Sequence, residues 1–312
     1  MEKEFEPAYA ALHRSGELAA RADELRGVME RCRLCPRECG ANRLAGERGF
    51  CGADARLVIS SYHPHFGEEK PLVGTGGSGT IFLTHCNLRC VFCINWEVSW
   101  LGEGSPRTVG DMAGMMLNLQ KMGCHNINLV TPTHYSPFLL QALDAAAGKG
   151  LRLPVVYNTS GFERLEIVRM LDGVVDIYLP DFKYWDGTMA VKFSSGAVRY
   201  PECARTAILE MHRQVGVAKP TPDGIMRRGL MIRHLVMPNR VAGTREIVRW
   251  IGGNFPKDTY LNIMSQYRPL HRAKEYDEIS RKISRGEYAE AVRWARAAGL
   301  TNLDIQGYPL LW

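Results

Sequence analysis

No apolar run in the 312-residue sequence approaches the ~18 residues a membrane-crossing helix needs. The N-terminus, Met1-Glu2-Lys3-Glu4-Phe5-Glu6, is charged and lacks the apolar stretch of a signal peptide, so the expected location is the cytoplasm, away from membranes. Charge of one sign is not in large excess, the net value being +6. Arginines gather at Arg227-Arg228, Arg233, Arg240 and Arg245, and again from Arg268 to Arg296, but no aromatic-rich RNA-binding motif accompanies them. They read as a solvated face or as an attractor of an anionic substrate, and nucleic acid is not an expected partner. A phosphate-binding glycine loop is also missing. The four glycines between Gly74 and Gly79 open an apolar strand rather than a helix and read as a flexible approach to it. The hydrophobic share of 46% and charged share of 23% are those of a globular chain able to bury a full core.

Cysteine is plentiful, at nine residues, and in a reducing compartment such usage points to metal binding rather than disulfides. Cys124 and Cys203 stand alone and are expected only to pack. Cys32, Cys35, Cys39 and Cys51 follow a C-x2-C-x3-C-x11-C spacing among turn-forming glycines. Four thiolates close a tetrahedral site, and both a 4Fe–4S cluster and a structural zinc satisfy that count. Cys86, Cys90 and Cys93 lie within eight residues at C-x3-C-x2-C spacing, directly after the apolar run Thr80–Leu83. Three thiolates do not complete a structural zinc site, whereas a 4Fe–4S cluster held by three keeps one iron open for another molecule.

Along the chain, residues 1–31 read as helical, with Leu18, Ala22, Leu25, Val28 and Met29 forming one apolar stripe. The stretch Ser60–Glu69 reads as a polar connector whose His63, His65, Glu68 and Glu69 are either salt-bridged or part of a site. From Thr80 onward, short apolar runs alternate with amphipathic stretches, the pattern of parallel βα units. The runs are Thr80–Leu83, Asn126–Val130, Val155–Asn158, Val175–Leu179, Leu230–Met237 and Tyr260–Met264, with a last strand at Leu303–Gln306. Thr108 with Asp111 forms a capping box, and Ser136-Pro137 starts a helix that Gly148 and Gly150 close. Periodicity leaves a barrel and an open doubly wound sheet both possible. The expected organisation is an N-terminal helical segment and four-cysteine knuckle over 1–72, followed by the main α/β domain over 73–312.

The C-x3-C-x2-C spacing, with Phe92 just before the third cysteine, resembles the radical S-adenosylmethionine (SAM) superfamily. The sequence from about Cys32 onward is most similar to proteins called pyruvate formate-lyase activating enzyme-like, or PflX-like. The resemblance implies a partial (βα)6 radical SAM barrel carrying the N-terminal extension. It implies a 4Fe–4S cluster on Cys86, Cys90 and Cys93, with SAM on the open iron. The activity implied is reductive cleavage of SAM to a 5′-deoxyadenosyl radical that abstracts a hydrogen atom. The implied partners are an electron donor such as flavodoxin or ferredoxin, and a glycyl-radical protein, another peptide or a small metabolite as substrate. A reading from another class is a non-catalytic iron–sulfur or zinc protein.

Chemistry in parallel barrels gathers at the C-terminal strand ends. After Asn126–Val130 stands Thr131-Pro132-Thr133-His134, where many relatives have Gly-Gly-Glu; the resemblance assigns Thr131, Thr133 and His134 to SAM. Asn158-Thr159-Ser160-Gly161 is similar to the Asp/Asn-Thr-Asn-Gly segment lining the SAM pocket of activating enzymes. Asp181 and Lys183, two apart on an extended chain, share a face and match their Asp-x-Lys pattern for orienting SAM. Arg233 matches a carboxylate-binding arginine, with His234 pointing the other way. Tyr267 follows the next strand as a candidate with a packing alternative. The knuckle and the Gly74–Gly79 stretch are expected to serve as a lid.

Overall fold

The structure, a computed structural model, describes residues 5–306. The chain begins with helices α1 (Tyr9–Ser15) and α2 (Glu17–Gly27), passes through the cysteine knuckle, and enters strand β1 (Leu57–His65). A short helix α3 (Lys70–Val73) leads to β2 (Ser78–Leu83), and the cysteine loop leads from there to β3 (Ser105–Arg107). Then follow α4 (Val109–Lys121), β4 (Ile127–Val130), α5 (Ser136–Ala147), β5 (Val155–Thr159), α6 (Leu165–Met170) and β6 (Ile177–Pro180). After α7 (Gly187–Phe193) and α8 (Tyr200–Val215) come β7 (Gly229–Leu235), α9 (Thr244–Asn254), β8 (Tyr260–Met264), α10 (Arg285–Ala297) and β9 (Leu303–Ile305).

One nine-stranded sheet has the order β3-β1-β2-β4-β5-β6-β7-β8-β9. The pairs from β2 through β9 are all parallel, while β1 runs antiparallel to both β2 and β3. The parallel strands follow one another without the reversal of order that defines a doubly wound sheet, which removes that alternative. Successive residues alternate between the faces, as a pleat requires. Val155, Tyr157 and Tyr178 join the main core, whereas Val156, Ile177, Leu179 and Met231 join a second cluster with Leu72, Ala218 and Met226. Since Ile177, Val156 and Tyr260 stand at the first or second position of their strands, that cluster lies near the N-terminal strand ends. The C-terminal ends are left for a site.

Several expectations need correction. The helical reading of 1–31 resolves into α1 and α2, parted at Gly16, with residues 1–4 outside the described part. Much of the supposed connector Ser60–Glu69 belongs to β1, and the boundary after residue 72 falls inside α3, with β1 pairing across it to β2. The Thr108–Asp111 capping box is present, but Ser136 donates to the Thr133 carbonyl (3.0 Å) instead of capping α5. The glycines before β2 serve close packing rather than flexibility. A Cβ on Gly76 would stand 2.0 Å from the Gly123 carbonyl oxygen, a backbone atom that cannot swing away. This stretch also sits at the N-terminal end of β2, at the far end from the pocket described below, so it cannot act as a lid there.

The glycines make a paired test. Gly76→Ala is expected to lower unfolding free energy by about 1–3 kcal/mol through overpacking. Gly114→Ala, inside α4 with nothing within 4 Å of its Cβ position, is expected to raise it by about 0.5–1 kcal/mol. Urea titrations that gave both changes the same sign would contradict this packing.

Candidate active site

A cavity of about 280 Å³ opens at the C-terminal ends of the parallel strands, between them and the cysteine loop. Cys86, Cys90 and Cys93 line it on one side, facing Thr131, Asn158, Thr159 and Ser160, Asp181, Lys183 and Arg233. The loop is held by its surroundings. Asn87 donates to the Phe162 carbonyl (2.7 Å), Val91 N–H to that of Phe193 (2.9 Å), and Trp100 Nε1 to that of Cys90 (3.0 Å). His85 and Arg89 take left-handed backbone angles (φ +67° and +52°), a strain found where a loop is shaped for a ligand. Thr131 does the same at φ +58°, which is costlier for a β-branched residue, and its N–H donates to the Asn158 carbonyl (2.9 Å).

Each thiol of this loop already accepts a hydrogen bond. Leu88 N–H donates to Cys86 Sγ (3.4 Å), Ser194 Oγ to Cys90 Sγ (3.1 Å) and Ser99 Oγ to Cys93 Sγ (3.2 Å). Ser99 is brought there by a π-helical turn, Glu97–Leu101. Burial pushes the Cys86 thiol up to about 11 and that of Cys90 to about 12, with Lys183 opposing the rise in both. Sulfurs supplied with donors and a nearby cation are suited to be metal-bound thiolates, whose binding energy offsets the cost of deprotonation. Among the described residues no three His, Cys, Asp or Glu side chains surround one point closely enough to hold a single ion. A 4Fe–4S cluster takes each thiolate on a different iron and does not require such convergence. In that respect the donor set fits the cluster.

The opposite wall is a buried ionic network. Asp181 accepts from Lys183 Nζ (2.6 Å) and Arg233 Nε (2.8 Å), and Arg233 also donates to Asn158 Oδ1 (2.6 Å) and Glu68 Oε2 (3.4 Å). Glu69 lies 3.9 Å from the same guanidinium and accepts from Asn262 (2.9 Å). Burial raises the Asp181 pKa, but Arg233 and Lys183 together more than reverse this and hold it below the usual range. Glu68 goes the other way, to about 7, because burial and neighbouring Glu69 outweigh Arg233. Gly161 (φ +79°) lets the 158–161 turn approach β6, since a Cβ there would meet the Asp181 carbonyl at 2.3 Å. Tyr200 Oη, accepting from Lys183 N–H (2.8 Å), stands 2.9 Å from the carbonyls of both Ser160 and Asp181 and ties the two turns together.

Two residues assigned to SAM do not line the cavity. Thr133 and His134 sit in a 3₁₀ turn that rotates both inward. Thr133 donates to Glu163 Oε1 (2.5 Å), and His134 Nε2 bonds to the Thr84 carbonyl (2.9 Å) beneath the cysteine loop. Burial drives the His134 pKa down to about 3, so the ring is neutral and donates there. His234 faces away, bonded to the Phe182 carbonyl and Thr244. Tyr267 borders the cavity, with its hydroxyl donating to the Ile279 carbonyl (2.7 Å). Ser99 and Ser194 carry no signal in the sequence, whereas Glu68, read there as salt-bridged or part of a site, both pairs with Arg233 and lines the cavity. The only hint of Glu68 was its place in an acidic pair beside two histidines.

Comparison with known proteins gives two relatives from Methanocaldococcus jannaschii. Uncharacterized protein MJ0674 is 32% identical over 293 residues, spanning 90% of this chain and 78% of the relative. Uncharacterized protein MJ0808 is 33% identical over 82 residues, 22% of this chain and 24% of that one. No family model matches. Among solved structures, methylornithine synthase (PylB) superposes with a TM-score of 0.45 at 14% identity, covering 68% of this chain and 60% of the other. No helix among the described residues is long and apolar enough to cross a membrane.

Proposed function

The chain belongs to the family of uncharacterized protein MJ0674 of Methanocaldococcus jannaschii, and from that premise we propose that it is a radical SAM enzyme with a partial-barrel fold. The observation that carries the reading is the cavity itself. Three thiols at C-x3-C-x2-C spacing face an Asp–Lys–Arg network across the C-terminal ends of consecutive parallel strands. Cys86, Cys90 and Cys93 would hold a 4Fe–4S cluster, and Thr131, Asn158, Thr159, Ser160, Asp181, Lys183 and Arg233 would hold SAM. Bound there and supplied with one electron, that pair would provide the chemistry of hydrogen-atom abstraction by reductive cleavage of SAM.

The chain's own part is to position and to exclude. Ser99, Ser194 and the Leu88 N–H brace the thiolate sulfurs. Lys183, neutralised by Asp181, offers an ammonium to a carboxylate on the cavity side, and Arg233 keeps Asp181 and Asn158 in place. Phe82, Leu83, Leu235 and Met264 give the cavity its water-poor walls. Ile94 (63% exposed) and Leu270 (38%) line the cavity and stay open to solvent at its rim. Asn95, Gln266 and Arg268 are exposed beside them, so the rim offers both apolar and polar contacts to a peptide substrate, a glycyl-radical protein among them, or to a small metabolite. An electron carrier such as flavodoxin or ferredoxin, and a second metal at Cys32, Cys35, Cys39 and Cys51, complete the proposal.

The test is anaerobic reconstitution with iron and sulfide, followed by assay of 5′-deoxyadenosine from SAM and dithionite. Wild type is expected to form it and Cys90→Ala to form none. A wild type loaded with iron that releases none, or a variant that matches it, would remove the enzyme reading. A glycine-centred EPR doublet on mixing with a candidate glycyl-radical protein would identify the substrate class.

A further inference from the structure

Arg43 is wholly buried, and none of its hydrogen-bond partners carries a formal charge. Its guanidinium donates to the carbonyls of Asp54 (2.8 and 3.2 Å) and His134 (2.7 Å) and lies 3.9 Å from Cys32 Sγ. The Asp54 carboxylate is turned to Arg56 instead (2.6 Å). Arg37, half-buried, repeats the pattern. It donates to the carbonyls of Asn87, Leu88, Ser194 and Ser195 and stacks 3.9 Å over the Phe50 ring. Among the described residues no carboxylate pairs with either. A guanidinium keeps its proton in a protein, and carbonyls satisfy its N–H groups without supplying net negative charge. Burying such a cation uncompensated is strongly unfavourable. What lies next to both is cysteine: Cys32 and Cys51 neighbour Arg43, while Arg37 neighbours Cys35 and also Cys86 and Cys90 of the second loop.

We propose that Cys32, Cys35, Cys39 and Cys51 bind a metal centre as four thiolates, with Arg43 and Arg37 as its built-in counter-cations. Four thiolates around divalent zinc, or around the doubly positive core of an oxidised 4Fe–4S cluster, leave a dianion that two guanidiniums neutralise. The loop is already shaped for it. Cys32 N–H donates to the Ala41 carbonyl, Gly40 N–H to that of Cys32 and Glu38 N–H to that of Cys35. The Sγ atoms of Cys39 and Cys51 border the space over Gly49, where a Cβ would stand 3.2 and 3.6 Å from them. The thiols do not meet at one point, which a single zinc ion requires and a 4Fe–4S cluster, taking each thiolate on a different iron, does not. Arg37 also grips the Asn87 and Leu88 carbonyls inside the second cysteine loop, and the carbonyl of Ser194, whose hydroxyl donates to Cys90. One side chain therefore stands as a cation between the two centres, beside Cys35 of the first and Cys86 and Cys90 of the second, and braces the loop of the second. This inference rests on the second-metal part of the proposed function and not on its radical chemistry.

The test uses the full chain with Cys86, Cys90 and Cys93 all replaced by alanine, which leaves the knuckle as its one cysteine cluster. In separate anaerobic arms it receives ferrous iron with sulfide, or zinc. After gel filtration one centre per chain is expected, and the arm that loads identifies the metal. A folded triad-free chain that retains neither metal overturns the proposal. In the same background Arg43→Met is expected to weaken binding by about tenfold or more, with Arg43→Lys recovering most of it. Equal affinity in the two variants overturns the counter-cation role. Should Arg43→Met fail to fold, Arg37→Met against Arg37→Lys makes the same comparison at a half-buried position. The two readings fail separately, because wild type that forms no 5′-deoxyadenosine leaves the metal content of the triad-free chain unaffected.

Discussion

Replacing Asp181 by alanine is expected to destabilise the protein by about 3–5 kcal/mol, because it strands two buried cations at once. Lys183 and Arg233 side chains are each 14% exposed, and both direct their shortest ionic contact at this one carboxylate, at 2.6 and 2.8 Å. Solvent cannot take over as it does for an exposed pair such as Arg272–Glu275. Glu68 and Glu69 would remain near Arg233, at 3.4 and 3.9 Å, but no carboxylate contact would remain for Lys183. The second change Lys183→Met should therefore recover part of the loss. A double-mutant cycle by anaerobic urea unfolding is expected to give a coupling of about 1–3 kcal/mol. Asp181→Ala within about 1 kcal/mol of wild type would mean that the network is looser than its distances. On the proposed function the same substitution also weakens SAM retention, since Lys183 loses the partner that aims it.

The residues of this network differ in how far local sequence reveals them. Asp181 and Lys183 follow an apolar run, and pleating places residues two apart on one side, so a pattern of period two groups that pair, while Arg233 stands inside the run of the neighbouring strand and joins them by strand pairing. Glu68 belongs to the turn after β1, a strand whose register shifts between Ile59 and Ser61 and whose antiparallel pairing with β2 is decided by tertiary contact. Nothing local marks that turn as reaching Arg233. His134 fails for the opposite reason. Its place after β4 suggests the pocket, but one turn of 3₁₀ helix swings the ring under Thr84, where a neutral imidazole stabilises the loop carbonyl more than it would serve a ligand. Arg43 is the extreme case. In sequence it is one arginine in a glycine-rich loop, and its complete burial follows only from the meeting of that loop with the turn after β4.

Glu163 is expected to make stability depend on pH in a way that Glu163→Gln removes. The carboxyl is fully buried behind the pocket wall. It accepts from the hydroxyls of Thr133 (2.5 Å), Thr159 and Tyr157 (3.5 Å) and has no cation partner among the described residues. Burial raises its pKa to about 7, and the hydroxyl donors only partly oppose the shift. Between the unfolded value of about 4.3 and 7 the folded state holds the proton more tightly than the unfolded state does, so this group's contribution falls as pH rises. A shift of that size is worth up to about 4 kcal/mol. Wild type alone would not reveal it. Glu68 and Asp176, also raised to about 7, act in the same direction, while His134 and His234, depressed by burial to about 3 and 4, act against them below about pH 6.5. The difference between wild type and Glu163→Gln isolates the one group. Relative to the variant, wild type should lose about 2–3 kcal/mol between pH 5 and pH 8 in anaerobic urea titrations. Parallel curves would mean that Glu163 keeps an ordinary carboxyl pKa and that its three hydroxyl partners hold it as an anion throughout.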